Sequence, residues 1–139
     1  MTAKHTLRNV KALRMYCPIE AKTLEALLAG ETAALEQDAA LSKMLATIRH
    51  DNPLGDFGIY KSVIEIVPGW ELFRPSADAR PAVGQTETKT ASPTAILTIY
   101  IPREAAAEAV ANAIDAILEA HPWEVPVIET YETQLVCRS

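Results

Sequence analysis

Two stretches of this chain repeat one another. Leu13-Arg14-Met15-Tyr16-Cys17-Pro18-Ile19-Glu20-Ala21 aligns with Leu97-Thr98-Ile99-Tyr100-Ile101-Pro102-Arg103-Glu104-Ala105 at a constant offset of 84 positions, with Leu, Tyr, Pro, Glu and Ala in the same places. Each copy reads as a strand, then Pro at the start of a helix, then Glu in the first helical turn. Pro suits that position because its missing N–H would be unpaired there, and Glu suits the positive end of the helix dipole. Two copies of one strand–helix unit are the simplest source of such a match.

The second helix is marked by Ala106, Val110, Ala113, Ile114, Ile117 and Leu118 at helical spacing, and Pro122 ends it. The first starts at about Pro18, carries Leu24, Leu27 and Leu28, and is interrupted by Gly30. A further amphipathic stretch sets Leu41, Met44, Leu45 and Ile48 on one face before the Asn52-Pro53 and Gly55 turn signals. Strands are expected over Val10–Tyr16, Ile59–Val67, Ile96–Ile101 and Val127–Val136, with Trp70–Phe73 a short addition after a Pro68-Gly69 turn. The stretch from Pro75 to Pro93, rich in Pro, Ser, Thr, Ala and Gly, reads as a long mobile loop.

The order is β-α-(α)-β-(β)-loop-β-α-β. That predicts an α+β fold of the ferredoxin-like, split-βαβ type (β-α-β-β-α-β) in one domain spanning 1–139, with a helical insertion at about 30–52 after the first helix. The repeated strands would lie side by side at the centre of the sheet. Helices would cover one face; the other would carry Ala12, Tyr16, Ile96 and Tyr100. An exposed apolar face of this kind marks an interface.

The bulk properties narrow the partners. With Lys+Arg 13 against Asp+Glu 18, the net charge is −5 and no basic run is present, so neither nucleic acid nor an anionic membrane is an expected partner. No apolar stretch approaches the roughly 20 residues needed to span a bilayer, and Met1 to Thr6 lacks a signal-like apolar run. The expectation is a cytoplasmic protein. Cys17 and Cys137, the only cysteines, have neither disulfide-framework nor zinc spacing and are expected to be free thiols at opposite ends of the sheet.

Several short motifs resemble a known family. His121-Pro122-Trp123-Glu124-Val125-Pro126, directly after an Ala-rich helix, is similar to the His-Pro-Tyr-Glu-x-Pro element of CutA-like domains and of the insertion domain of the Nif-three-like (YqfO) proteins. Phe73-Arg74-Pro75, Ala79-Arg80-Pro81, Val83-Gly84 and Gly58-Ile59-Tyr60 resemble further segments of the latter domain. The resemblance covers about 10–29 and 55–136. It implies a ferredoxin-like fold related to the CutA and PII proteins, which are typically trimeric. The 30–52 insertion departs from the family pattern. The large flanking domains with their two-metal His/Asp/Glu site are absent from this sequence, so no hydrolase role is carried over.

Chemistry-bearing residues are few. His121 and Glu124, three apart on a tight turn, suit a cation ligand or a pH-sensitive donor at a subunit cleft. The plainer alternative has His121 bonding the last helical carbonyls while Trp123 packs into the core. Cys17, beside Met15, suits a soft ion such as copper(I), as the CutA resemblance implies; the alternative is a buried thiol acting as a small hydrophobe. The expected ligand site is therefore His121, Glu124, Trp123, Arg74 and Tyr60, with His121, Glu124 and Cys17 as metal candidates and a divalent or copper ion the only cofactor implied. Arg74 and Arg80 flank the loop and suit an anion. None of His5, His50 and His121 falls in a nucleophile–base motif, and no Gly-rich phosphate loop is present, so no catalytic residue is assigned. The reading is a ligand- or ion-sensing module, trimeric by resemblance. The alternative is a structural or protein-interaction domain that meets a partner through the 75–93 loop or the 30–52 insertion.

Overall fold

The computed structural model describes residues 2–139. Its elements are β1 (His5–Pro18), α1 (Ala21–Leu28), a 3-10 turn (Thr32–Glu36), α2 (Ala39–Arg49), β2 (Glu65–Phe73), β3 (Thr90–Pro102), α3 (Ala107–Ala120) and β4 (Ile128–Arg138). The four strands form one antiparallel sheet in the order β2-β3-β1-β4. This is the ferredoxin-like α+β arrangement, with the two repeat strands paired at its centre. Repeat equivalents Arg14 and Thr98 face each other directly, so a local twofold axis passes between them.

Strand alternation decides which face is buried. Leu13, Met15 and Cys17 of β1, and Ala95, Leu97, Ile99 and Ile101 of β3, form one core with residues of the helices. The insertion lies on this same face. Leu41, Met44, Leu45 and Ile48 of α2 are all fully buried in the core, and α2 touches both β1 and α3. It does not fold over the opposite face.

Asp38 fixes this placement. Its carboxylate caps α2 by accepting the Leu41 N–H at 3.0 Å, and it also accepts the Glu20 N–H and the Thr23 hydroxyl, each at 2.8 Å. One buried carboxylate thus ties the start of α1 to the start of α2.

Several boundaries differ from the sequence expectation, the first strand among them, which starts at His5 rather than Val10. The two repeat prolines, Pro18 and Pro102, close their strands, and the helices begin later, at Ala21 and Ala107. The second strand is Glu65–Phe73 rather than Ile59–Val67, and it runs straight through Pro68-Gly69. An edge strand tolerates Pro when its nitrogen faces away from the neighbouring strand, and β2 is an edge. The segment before it turns instead at Gly55, whose φ is +68° and where a Cβ would come within 2.6 Å of the Val63 backbone. β3 starts at Thr90, inside the expected loop. Pro93 is accommodated because β1 has ended there: its carbonyl accepts from the Ile19 N–H, just beyond that strand.

Candidate functional site

The turn at 121–127 crosses the end of β1 and meets the loop at 74–89. His121 is 7% exposed. Its Nε2 lies 2.6 Å from the Tyr16 carbonyl oxygen, and its Nδ1 accepts the Trp123 N–H at 3.1 Å. A carbonyl only accepts and an amide N–H only donates, so the ring is neutral with its proton on Nε2. Burial, partly offset by the Tyr16 carbonyl, holds its pKa below the ordinary value of 6.5. The His121 ring bonds this carbonyl, while the His121 backbone N–H donates to the Ile117 carbonyl at 3.0 Å and closes the helix; the Val127 carbonyl accepting the Tyr16 N–H at 3.1 Å anchors the far end of the turn.

Trp123 and Glu124 carry the contact to the loop. The Trp123 ring meets Phe73 edge-on, with centroids 5.2 Å apart. The Glu124 carboxylate accepts the backbone N–H of Arg80. Inside the loop, Gly84 sits at φ +87° against Thr90, and the Pro75 carbonyl accepts the Glu87 N–H at 2.6 Å. The Trp123 indole nitrogen is buried without a hydrogen-bond partner, as is one carboxylate oxygen of Glu71.

A cleft of about 530 Å³ opens beside this contact, between Pro122, the loop residues Ala82 and Val83, and the starts of α1 and α2 at Ile19, Glu20 and Asp38. Its walls are mostly apolar, with the Asp38 and Glu20 carboxylates the acidic groups at its edge. A second hollow, of about 560 Å³, lies between α2 and α3 and is lined by alanines with Lys43, His50 and Asn112.

The structure thus brings His121, Trp123 and Glu124 together with the loop; Arg74 adjoins Phe73 and is exposed. Tyr60 lies elsewhere. It is 68% exposed in the segment before β2, whose Gly55 N–H bonds the Tyr100 carbonyl near the other end of β3. Cys17 is fully buried on the helix-covered face, and its thiol is pushed up to about 12 by burial, with Asp38 and Glu71 adding to the shift. Among the described residues no three His, Cys, Asp or Glu side chains come together to hold a metal ion. Asp38 is the residue sequence reasoning missed. Its signal was present: an Asp immediately before the amphipathic stretch that begins at Ala39.

Among the described residues no helix lies on the opposite face of the sheet. Ala12 is fully buried between its cross-strand neighbours Tyr100 and Tyr131, while Tyr16, Ile96 and Tyr100 are half-buried and Val67 and Tyr131 are about half exposed. No helix of the described residues is long and apolar enough to cross a membrane.

The fold resembles part of a Bacillus cereus protein related to NIF3, with a TM-score of 0.60 over 98% of this chain at 14% sequence identity. The chain corresponds to 29% of that protein's length. At this identity the likeness is one of fold. No protein-family model and no curated protein matches the sequence.

Proposed function

We propose that this chain is a small oligomeric binding or regulatory module that assembles through its uncovered sheet face and senses a small ligand where the 121–127 turn, the 74–89 loop and the starts of α1 and α2 converge. The observation that carries this reading is the apolar cleft of about 530 Å³ beside the docked turn and loop. Concave, mostly apolar hollows with a few polar groups are where small ligands bind. On its α1–α2 side the cleft is fixed by Asp38, whereas the turn meets the other side through Trp123 against Phe73 and Glu124 against the Arg80 N–H. A ligand there could shift the loop without disturbing the core.

The resemblance to the Nif-three-like insertion domain, and through it to CutA and PII proteins, supports both regulation and a trimer. A metal ion is the weaker version of this proposal. Both ring nitrogens of His121 are engaged within the chain, so a divalent or copper ion would require the His121 contacts to open and further ligands to come from a second copy. The alternative is a protein-interaction domain that uses the exposed 74–89 loop. The insertion suits that role less well, because the apolar face of α2 is used in the core.

A thermal-shift screen of the intact chain with nucleotides, small metabolites and divalent metals tests the reading, since a ligand that binds only the native state raises its stability. A hit whose shift is lost in Val83→Glu, which places a charge in the cleft wall, is the expected result. A screen without hits, or hits indifferent to that substitution, contradicts ligand sensing at this cleft.

A further inference from the structure

We infer that the hollow between α2 and α3 binds a small elongated ligand with an apolar body and a single carboxylate head, the head lying at Lys43. This site is separate from the cleft beside the 121–127 turn and does not depend on that reading.

The hollow measures about 560 Å³, within the range of small-molecule sites. Lys43 and His50 stand about two turns apart on α2, roughly 10 Å at the usual rise of about 1.5 Å per residue, and Ala109 and Ala116 span the same length on α3. All four line the hollow. Asp51, Asn52 and Ala109 also border the neighbouring hollow, which reaches Glu104 and Arg8. Ala109 therefore stands at the His50 end and Ala116 at the Lys43 end, and the two helices are antiparallel walls. The space between them is kept by small residues, Ala46 on α2 and Ala109, Ala113 and Ala116 on α3. The large side chains of α2, Leu41, Met44, Leu45 and Ile48, are all spent in the core.

The polar groups are sorted along this length. At one end His50 stands beside Asp51 in sequence, and the Asn52 side chain is already engaged, donating to the Thr47 carbonyl at 3.0 Å and accepting the Leu54 N–H at 2.9 Å. The Thr47 hydroxyl is engaged too, with the Lys43 carbonyl at 2.9 Å. At the other end Lys43 makes no ion pair among the described residues. Asn112, about one turn from Ala116 on the opposite wall, supplies an amide. An ammonium is a point charge, and no arginine lines the hollow. A phosphate, which calls for a guanidinium fork or converging backbone N–H groups, is matched less well here than a carboxylate. Asp51 at the far end disfavours a second anionic group, so a monocarboxylate fits better than a dicarboxylate. The alanine walls offer the body of the ligand no side-chain donor or acceptor, which favours a hydrocarbon over a sugar or a peptide.

The test is titration of the intact chain with octanoate and with octanol, followed by amide NMR shifts. Octanoate is expected to saturate and to move the amides of 43–52 and 109–116, and hexanoate to bind more weakly, by up to about fourfold for each methylene removed. Lys43→Gln is expected to weaken octanoate by about threefold to fivefold, the size of an exposed ion pair, and to leave octanol unchanged. Ala46→Trp, at an exposed position, is expected to abolish both by filling the hollow. Ala109→Met, also at an exposed position, serves if that variant fails to fold by circular dichroism. Val83→Glu, in the other cleft, is expected to change neither. Octanoate that does not saturate, shifts centred on the 121–127 turn, binding sensitive to Val83→Glu, or an affinity for octanoate unmoved by Lys43→Gln overturns the site. So does movement of the same amides with protein concentration in the absence of octanoate, which marks the hollow as a contact between copies.

Discussion

The Nε2 of His121 donates to the carbonyl oxygen of Tyr16 at 2.6 Å, 105 residues away in sequence. That bond pins the turn after α3 to the end of the first strand. It also sets the position from which Trp123 and Glu124 reach the loop between β2 and β3.

The pH dependence of this anchor has a definite sign. The folded ring resists protonation relative to its ordinary value of 6.5. As pH falls through about 6.5 the unfolded chain takes up the proton first, and stability drops until the folded ring also titrates; above that range the His121 contribution is complete. Burial raises the Glu71 carboxyl above its ordinary 4.5, so that group works the other way at lower pH. The melting temperature should therefore fall between pH 7.5 and 5.5 in the wild type, and much less in His121→Gln. His121→Ala leaves the Tyr16 carbonyl and the Trp123 N–H unpaired and should cost about 2–3 kcal/mol in urea unfolding at pH 7.5. An unchanged pH profile in His121→Gln contradicts the assignment.

Asp38 should matter more to stability than any surface carboxylate. Asp38→Ala removes three hydrogen bonds from a site 2% exposed, and a loss of about 2–4 kcal/mol is expected from a lost cap together with buried donors left unpaired. Denaturant unfolding measures it. A loss of only a few tenths of a kcal/mol, as for an exposed cap, would show that α1 and α2 are not joined through this carboxylate.

Much of this organisation was legible in the residues, for a physical reason in each case. The repeat strands and the α2 face were readable because Leu97, Ile99 and Ile101, and Leu41, Met44, Leu45 and Ile48, alternate at the periods that one-sided burial imposes. The second strand was misplaced because Pro68-Gly69 carries the local signal of a turn, and only knowledge that β2 is an edge strand removes the objection. The early start of β3 at Thr90 was hidden for the same reason, by Ser92-Pro93. In the site, the turn and the loop were expected as neighbours. The Tyr16 carbonyl as the partner of His121 was not legible, since a backbone acceptor leaves no trace in side-chain identity. Nor did the sequence indicate that Tyr60 lies near the other end of the sheet.

The two thiols should differ sharply in reactivity. Cys17 is fully buried with its thiol pushed up to about 12, whereas Cys137 is only partly buried. Cys137 pairs with Thr6 and Cys17 with Ala95, a separation of roughly 35 Å along β1 at about 3.3 Å per residue. A thiol reagent at pH 8 should modify one cysteine in the native chain and both after unfolding, and peptide mapping should place the native label on Cys137. Rapid native labelling of Cys17 would contradict its burial.

The loop at 74–89 is exposed over most of its length and held to the turn by Glu124 and by Phe73 at its base. Limited digestion with a protease of broad specificity should cut there first. Glu124→Ala should speed that cleavage several-fold while leaving far-UV circular dichroism unchanged. First cleavage within Ile96–Ile101 would be incompatible with β3 lying at the centre of the sheet.

The central claim is that the uncovered face, with Tyr16, Ile96 and Tyr100 half-buried and Tyr131 and Val67 more exposed, is an assembly surface. Exposed apolar area costs roughly 25 cal/mol per Å², and α2 lies on the other side of the sheet. Sedimentation equilibrium of the wild-type chain across the micromolar range measures the outcome directly. A stable multiple of 15.1 kDa is predicted, with three copies the number that the family resemblance implies; a single 15.1 kDa species throughout that range would contradict the account.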